Sequence, residues 1–124
     1  MADLSNAEMY IMRQFWQYGA MTSTEITDRV AEKNWNRSSL YTFLSRLAAK
    51  GMIRVDNTEK SNTYVPLVTK EEFQAAQGHH FLDEFYDGSA KDFFVSMVSS
   101  RTLTDEDIND LREWFVEQGG SLDK

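Results

Sequence analysis

Cysteine is absent from the 124 residues, and proline occurs once, at Pro66. Without cysteine there are no disulfides, no thiolate metal sites and no cysteine nucleophile, which fits a reducing compartment. No stretch approaches the ~18 consecutive apolar residues that would span a bilayer. Nor does the N-terminus show a basic region followed by an apolar run, so no secretory leader is expected and the reading is a cytoplasmic protein without a membrane partner. There is no glycine-rich phosphate loop, no metal-ligand spacing and no nucleophile set beside a base. No enzyme, no cofactor and no metal site are expected. Adjacent histidines, His79 and His80, point about 100° apart on a helix and do not readily share one ion; packing or pH sensing are the readings left open for them.

Basic residues are scarce in the second half. The net charge is −7, unevenly spread: residues 71–124 hold four Lys and Arg against thirteen Asp and Glu, whereas residues 1–70 hold nine against seven. Within residues 29–60 there are seven bases (Arg29, Lys33, Arg37, Arg46, Lys50, Arg54, Lys60) and three acids. Such asymmetry suits a polyanion-binding half and a solvated half, though clustering on a small domain also occurs without function.

Helix starts are written plainly. Ser5 to Glu8, Thr22 to Glu25 and Thr69 to Glu72 have the spacing of capping boxes, in which a hydroxyl caps the third amide and the third side chain returns the bond. The first opens a helix with Ile11, Met12, Phe15 and Trp16 inward, stopped by Gly19. The second opens a short helix with Ile26 and Val30 inward. A third helix, from Arg37, is capped by Asn36 and ended by Gly51. Met52–Val55 and Thr63–Val65 alternate like strands of a hairpin with a polar tip between them. Further helices follow: one from Thr69, broken at Asp87-Gly88; one from Ser89; and one from Thr104, ended by Gly119-Gly120. Three helices and a hairpin make a winged helix-turn-helix, whose third helix enters the major groove. The expected class is mainly α with a small β-hairpin, divided into a winged-helix DNA-binding domain over residues 1–68 and a helical dimerisation domain over residues 69–124.

That third helix, "NRSSLYTFLSRLAAKG", buries Leu40, Phe43, Leu44, Leu47 and Ala48 along one stripe. Its other face presents Ser38, Tyr41, Thr42 and Ser45, with Arg37, Arg46 and Lys50 at the edges and no acid. A solvated face is the ordinary alternative. But a surface that meets phosphates and base edges also excludes carboxylates and favours hydroxyls, amides and guanidinium groups.

The segments "LSNAEMYIMRQFW", "TEITDRV", "LYTFLSRLAAKGMI", "YVPLVTKEEF" and "FLDEFYDGS" resemble the penicillinase-repressor family of bacterial transcription regulators, the BlaI/MecI/CopY group, collinearly from Leu4 to about Gln118. The resemblance implies a homodimeric repressor on a palindromic double-stranded DNA operator. By position it implies recognition contacts from Arg37, Ser38, Ser39, Tyr41, Thr42 and Arg46, to which the face itself adds Ser45. Wing contacts fall near Arg54, Lys60 and Asn62. The dimer core falls on Phe81, Phe85, Phe93, Phe94, Met97, Ile108, Leu111 and Phe115. These apolar residues sit on a tail of about 50 residues, too small to bury them well alone. Family members cleaved by a sensor protease break at an Asn-Phe bond. Here the aligned pair is Ser96-Met97, which puts that inducing partner in doubt, and the absent cysteines exclude thiolate copper sensing. Two rival readings remain: a winged-helix sensor with a small-molecule pocket in its C-terminal helices, and a winged helix that binds protein rather than DNA.

Overall fold

The computed structural model describes residues 3–57 and 61–122, with side chains as far as Gly119. Among these residues six α-helices and a three-stranded antiparallel sheet follow in the order α1 (Asn6–Tyr18), β1 (Met21–Thr22), α2 (Ser23–Arg29), α3 (Arg37–Ala49), β2 (Ile53–Asn57), β3 (Asn62–Pro66), α4 (Lys70–Phe85), α5 (Ala90–Ser99) and α6 (Asp105–Leu122). A single 3₁₀ turn, Ala31–Lys33, joins α2 to the approach of α3. The chain forms two compact units that part between Gln77 and Gly78.

The first unit is a winged helix with one core. Ile11, Met12 and Phe15 from α1, Ile26 from α2, Leu40, Leu44 and Leu47 from α3, Met52, Ile53 and Tyr64 from the wing, and Phe73 from α4 are all buried. The capping boxes form as read: Ser5 Oγ accepts from the Glu8 amide at 3.1 Å while the Ser5 amide donates to Glu8 Oε1 at 2.7 Å. Thr22 with Glu25 and Thr69 with Glu72 repeat the arrangement. At the far end of α3, Gly51 takes φ +77°. Its amide bonds to Ala48 O and that of Met52 to Leu47 O, each at 3.0 Å. This is a Schellman ending; only glycine enters the left-handed region at little cost, and the turn drives Met52 into the core.

Three sequence expectations are corrected. The hairpin has a third strand: Met21 and Thr22 pair with Tyr64 and Thr63, giving the order β1-β3-β2. Two residues carry no readable alternation, so this strand is specified by its partner. The wing strands also run further into the polar stretch, pairing Asp56 with Thr63 and Asn57 with Asn62. Finally, α6 does not stop at Gly119-Gly120 but continues to Leu122. Glycine ends a helix where it turns left-handed, as Gly19, Gly51 and Gly88 do; Gly119 is not among the positive-φ residues.

Lys50, expected at the edge of the α3 outer face, turns inward. Its Nζ lies 2.6 Å from Glu8 Oε1 and 2.9 Å from Asp3 O. Glu8 is 1% exposed, and its Oε2 has no protein partner. This pair ties the start of α1 to the end of α3. Burial pushes the Glu8 carboxyl up, but the Lys50 ammonium and the Ser5 bonds outweigh it, so its pKa lies below the ordinary 4.5. A depressed carboxyl contributes stability above its unfolded value, and that contribution is lost as pH falls through the folded one. The thermal midpoint of the wild type is therefore expected to drop below about pH 4.5 more steeply than that of Glu8→Gln. Parallel melting curves of the two proteins from pH 7 down to pH 3 check this; superimposable pH profiles would remove Glu8 from the acid response.

The second unit is built differently. Ser89 Oγ caps α5 through the Asp92 amide at 3.1 Å. Thr104 and Asp107 cap α6 reciprocally at 3.0 and 3.2 Å. Yet among its described side chains none is buried.

Candidate nucleic-acid interface

The α3 helix starts where Asn36 Oδ1 accepts the Ser39 amide at 2.7 Å. Leu40, Leu44 and Leu47 anchor it to the core, and this fixes the opposite face outward. Ser38, Tyr41, Thr42, Ser45 and Arg46 are exposed there and, with Ala49, line one shallow open depression. No acid lies on the helix. Thr42 Oγ1 donates to Ser38 O at 3.0 Å, so its hydroxyl proton is already used by the backbone and its methyl is free to contact a partner.

Other expected contact residues stand apart from this depression. Ser39 is half-buried, with its amide committed to the cap. Arg37 lines a different hollow, beside Asp28 and Trp35. On the wing, Arg54 is held by Asp56, with Nε at 2.8 Å from Oδ1 and Nη2 at 3.1 Å from Oδ2. The bonds between them raise the Arg54 pKa and lower that of Asp56. Asn62 is exposed opposite Asn57, the strand pair nearest the connection between β2 and β3. Lys60 lies outside the described residues.

The basic cluster is thus partly spoken for within the fold. Besides Lys50 with Glu8 and Arg54 with Asp56, the Arg29 guanidinium lies 3.7 Å from the centre of the Tyr18 ring and Lys33 Nζ lies 4.6 Å from that of Tyr10. Among the described residues, Arg37 and Arg46 make no ion pair. Their charge is available to a ligand. Lys50 and Arg54 escaped the sequence reading because their partners come from fold geometry: Glu8 lies 42 residues away, and Asp56 faces Arg54 only once both are in one strand.

In the second unit, the expected interface residues form a partly open apolar surface. Phe85 and Phe115 are 65% and 51% exposed, Phe81 and Phe94 are also exposed, and Phe93, Met97, Ile108 and Leu111 are half-buried. Phe81 stacks near Phe85 and Phe93, with ring centres 5.1 and 5.8 Å apart. A groove lined by Phe94, Val98, Leu103, Ile108, Leu111 and Phe115 is almost wholly apolar. His79 and His80 pair along α4 with Asp83 and Glu84, at 3.4 and 3.2 Å. Among the described residues no group of three or more His, Asp or Glu is placed to hold a metal, and no helix is long and apolar enough to cross a membrane.

A buried three-helix core, a three-stranded wing and an acid-free third helix define the winged helix-turn-helix class. The chain belongs to the penicillinase repressor family, which it matches over residues 4–117. It is 24% identical over 115 residues to the penicillinase repressor of Bacillus licheniformis, covering 92% of this chain and 90% of that protein. To the methicillin resistance regulatory protein MecI of Staphylococcus aureus strain N315 it is 23% identical over 111 residues, covering 89% and 90%. The solution structure of the DNA-binding domain of the repressor BlaI superposes with a TM-score of 0.52 at 21% identity, over 56% of this chain and 87% of that one. The family is one of transcriptional repressors, not of enzymes.

Proposed function

We propose that this protein represses transcription in the cytoplasm by binding, as a homodimer, an inverted-repeat operator in double-stranded DNA. The observation that carries this reading is the outer face of α3: hydroxyls, a phenol and an unpaired guanidinium, with no carboxylate, held outward by three buried leucines. Ser38, Tyr41, Thr42, Ser45 and Arg46 read base edges and the adjoining phosphates. Arg37 and Asn62, with Lys60, add backbone contacts. Arg54 joins them by exchanging Asp56 for a phosphate. DNA binding falls to residues 1–68 and dimerisation to residues 69–124. A two-fold dimer presents two copies of α3, which sets the half-sites about one helical turn, or a multiple of that, apart.

Ser96 and Met97 lie inside α5, both half-buried, with Ser96 Oγ 3.2 Å from the Tyr86 hydroxyl. Cleavage between them requires that helix to open first, since proteases act on extended chain. Release of DNA by a signal other than cleavage there is the reading this favours.

Mobility shifts with genomic fragments at moderate salt test the proposal. Arg46→Ala and Thr42→Ala are each expected to weaken operator binding by ~1–3 kcal/mol. Both residues are exposed, so the melting temperature should hardly move. Wild-type affinity in a folded Arg46→Ala protein would show that α3 is not the reading helix.

A further inference from the structure

We propose that the cleft between α1 and the first two turns of α4 is a binding site for a flat, apolar organic anion, an aromatic carboxylate of drug-like size. The cleft has a volume of about 660 Å³, within the usual span of small-molecule sites, roughly 300–1,000 Å³. It lies wholly within the first unit. Met9, Arg13, Trp16 and Gln17 line it from α1, and Lys70, Phe73, Gln74 and Gln77 from α4. Both sets follow helical spacing, so two helix faces oppose one another.

The chemistry of the walls selects the ligand. Phe73, 4% exposed, forms the floor, and its ring centre lies 5.6 Å from that of Trp16. The Trp16 indole is fixed, because its Nε1 donates to Val68 O at 2.9 Å. What Trp16 offers the cleft is therefore ring surface, which suits a planar apolar body. At the rim stand two cations, Arg13 and Lys70, and neither has an ion-pair partner among the described residues. Among the described residues no acid lines the cleft, in a protein with 20 acids and a net charge of −7. Both cations face one space with no counter-charge, which is the electrostatic condition for an anion. A carboxylate beside either cation makes charge-assisted hydrogen bonds, and the three glutamine amides supply polar contacts. The next residue of α4 after Gln77 is Gly78, a helix-weakening residue at the boundary of the two units. A ligand here ties α4 to α1 on the winged-helix side of that point. Any effect on operator affinity rests on the repressor reading; binding of the ligand does not.

The test uses the full chain, with naphthalene-carboxylate as the probe and naphthalene-carboxamide as its uncharged counterpart. Tryptophan indole N–H resonances are followed by NMR during each titration. The expected result is saturable binding of the carboxylate that moves the Trp16 resonance and leaves Trp114, on α6, in place. The carboxamide and the double variant Arg13→Gln/Lys70→Gln with the carboxylate should each bind on the order of tenfold more weakly. Charge-preserving Arg13→Lys should retain most of the affinity. Equal affinity for acid and amide, full affinity in the double variant, perturbation of Trp114 in place of Trp16, or no binding at millimolar probe would each overturn the proposal. A protein that binds the probe but shifts no DNA would leave the cleft standing and remove the repressor reading instead.

Discussion

Leu111→Asp is expected to convert the protein to a monomer at micromolar concentration and to weaken binding to a full operator roughly 10²–10⁴-fold. The second unit has periodic apolar residues on three helices and no buried side chain among those described. Leu111 lines its apolar groove with Phe94, Val98, Ile108 and Phe115. Each such side chain gains roughly 1.5–3 kcal/mol when fully buried, and in the proposed dimer a second copy of the same surface would supply that burial. An aspartate inside the resulting interface is a charge without a partner, which costs more than the packing it replaces. Affinity falls because the second winged helix is no longer held near its half-site at high effective concentration. Sedimentation velocity and operator titration on the same samples check both parts. A circular dichroism spectrum like that of the wild type, and unchanged binding to an isolated half-site, separate loss of the dimer from loss of the fold. A variant that still sediments as a dimer would refute this interface.

Operator binding is expected to be steeply salt-dependent although the protein is acidic. If a dimer neutralises about eight phosphates, log K falls against log salt with a slope of roughly −7. A rise from 50 to 200 mM salt then lowers the affinity about 10⁴-fold. On the proposed reading those phosphates meet four cations per subunit: Arg37 and Arg46, which make no ion pair among the described residues, Lys60, and Arg54 once it leaves Asp56. Residues 71–124 hold thirteen acids against four bases, so the phosphate contacts are expected from the first unit alone. Fluorescence anisotropy with labelled operator across that salt range gives the slope. A value near zero would exclude a phosphate-led mode.

Much of the helical framework was legible because its signals are local. A capping box is complete within four residues, so Ser5, Thr22 and Thr69 announced their helices before any partner was known. The left-handed Gly51 ends α3 through its own amide's bond to Ala48 O and that of Met52 to Leu47 O, each a few residues away. The outer face of α3 was legible for a related reason: once Leu40, Leu44 and Leu47 turn inward, the helical period alone decides that Ser38, Thr42 and Ser45 turn outward.

What the sequence could not determine depends on partners distant in the chain. Strand β1 is two residues long and exists only because Tyr64 and Thr63 arrive beside it. The glycines of α6 resemble a stop, yet Gly119 stays in the helix, because a glycine permits the left-handed turn without compelling it. Lys50 has the spacing of an outer-edge cation, but its flexible stem lets Nζ reach the buried Glu8, where a carboxylate in a poorly solvated site attracts it more strongly than water does. The sequence by itself determined where helices begin, which faces they bury and that the first half is basic. Only the tertiary structure decided which bases remain free for phosphate, and that the cleft between α1 and α4 brings two unpaired cations over an aromatic floor. The physical reason is range: caps and helical faces are settled within a turn or two of backbone, whereas ion pairs, short strands and clefts form between residues that only folding brings together.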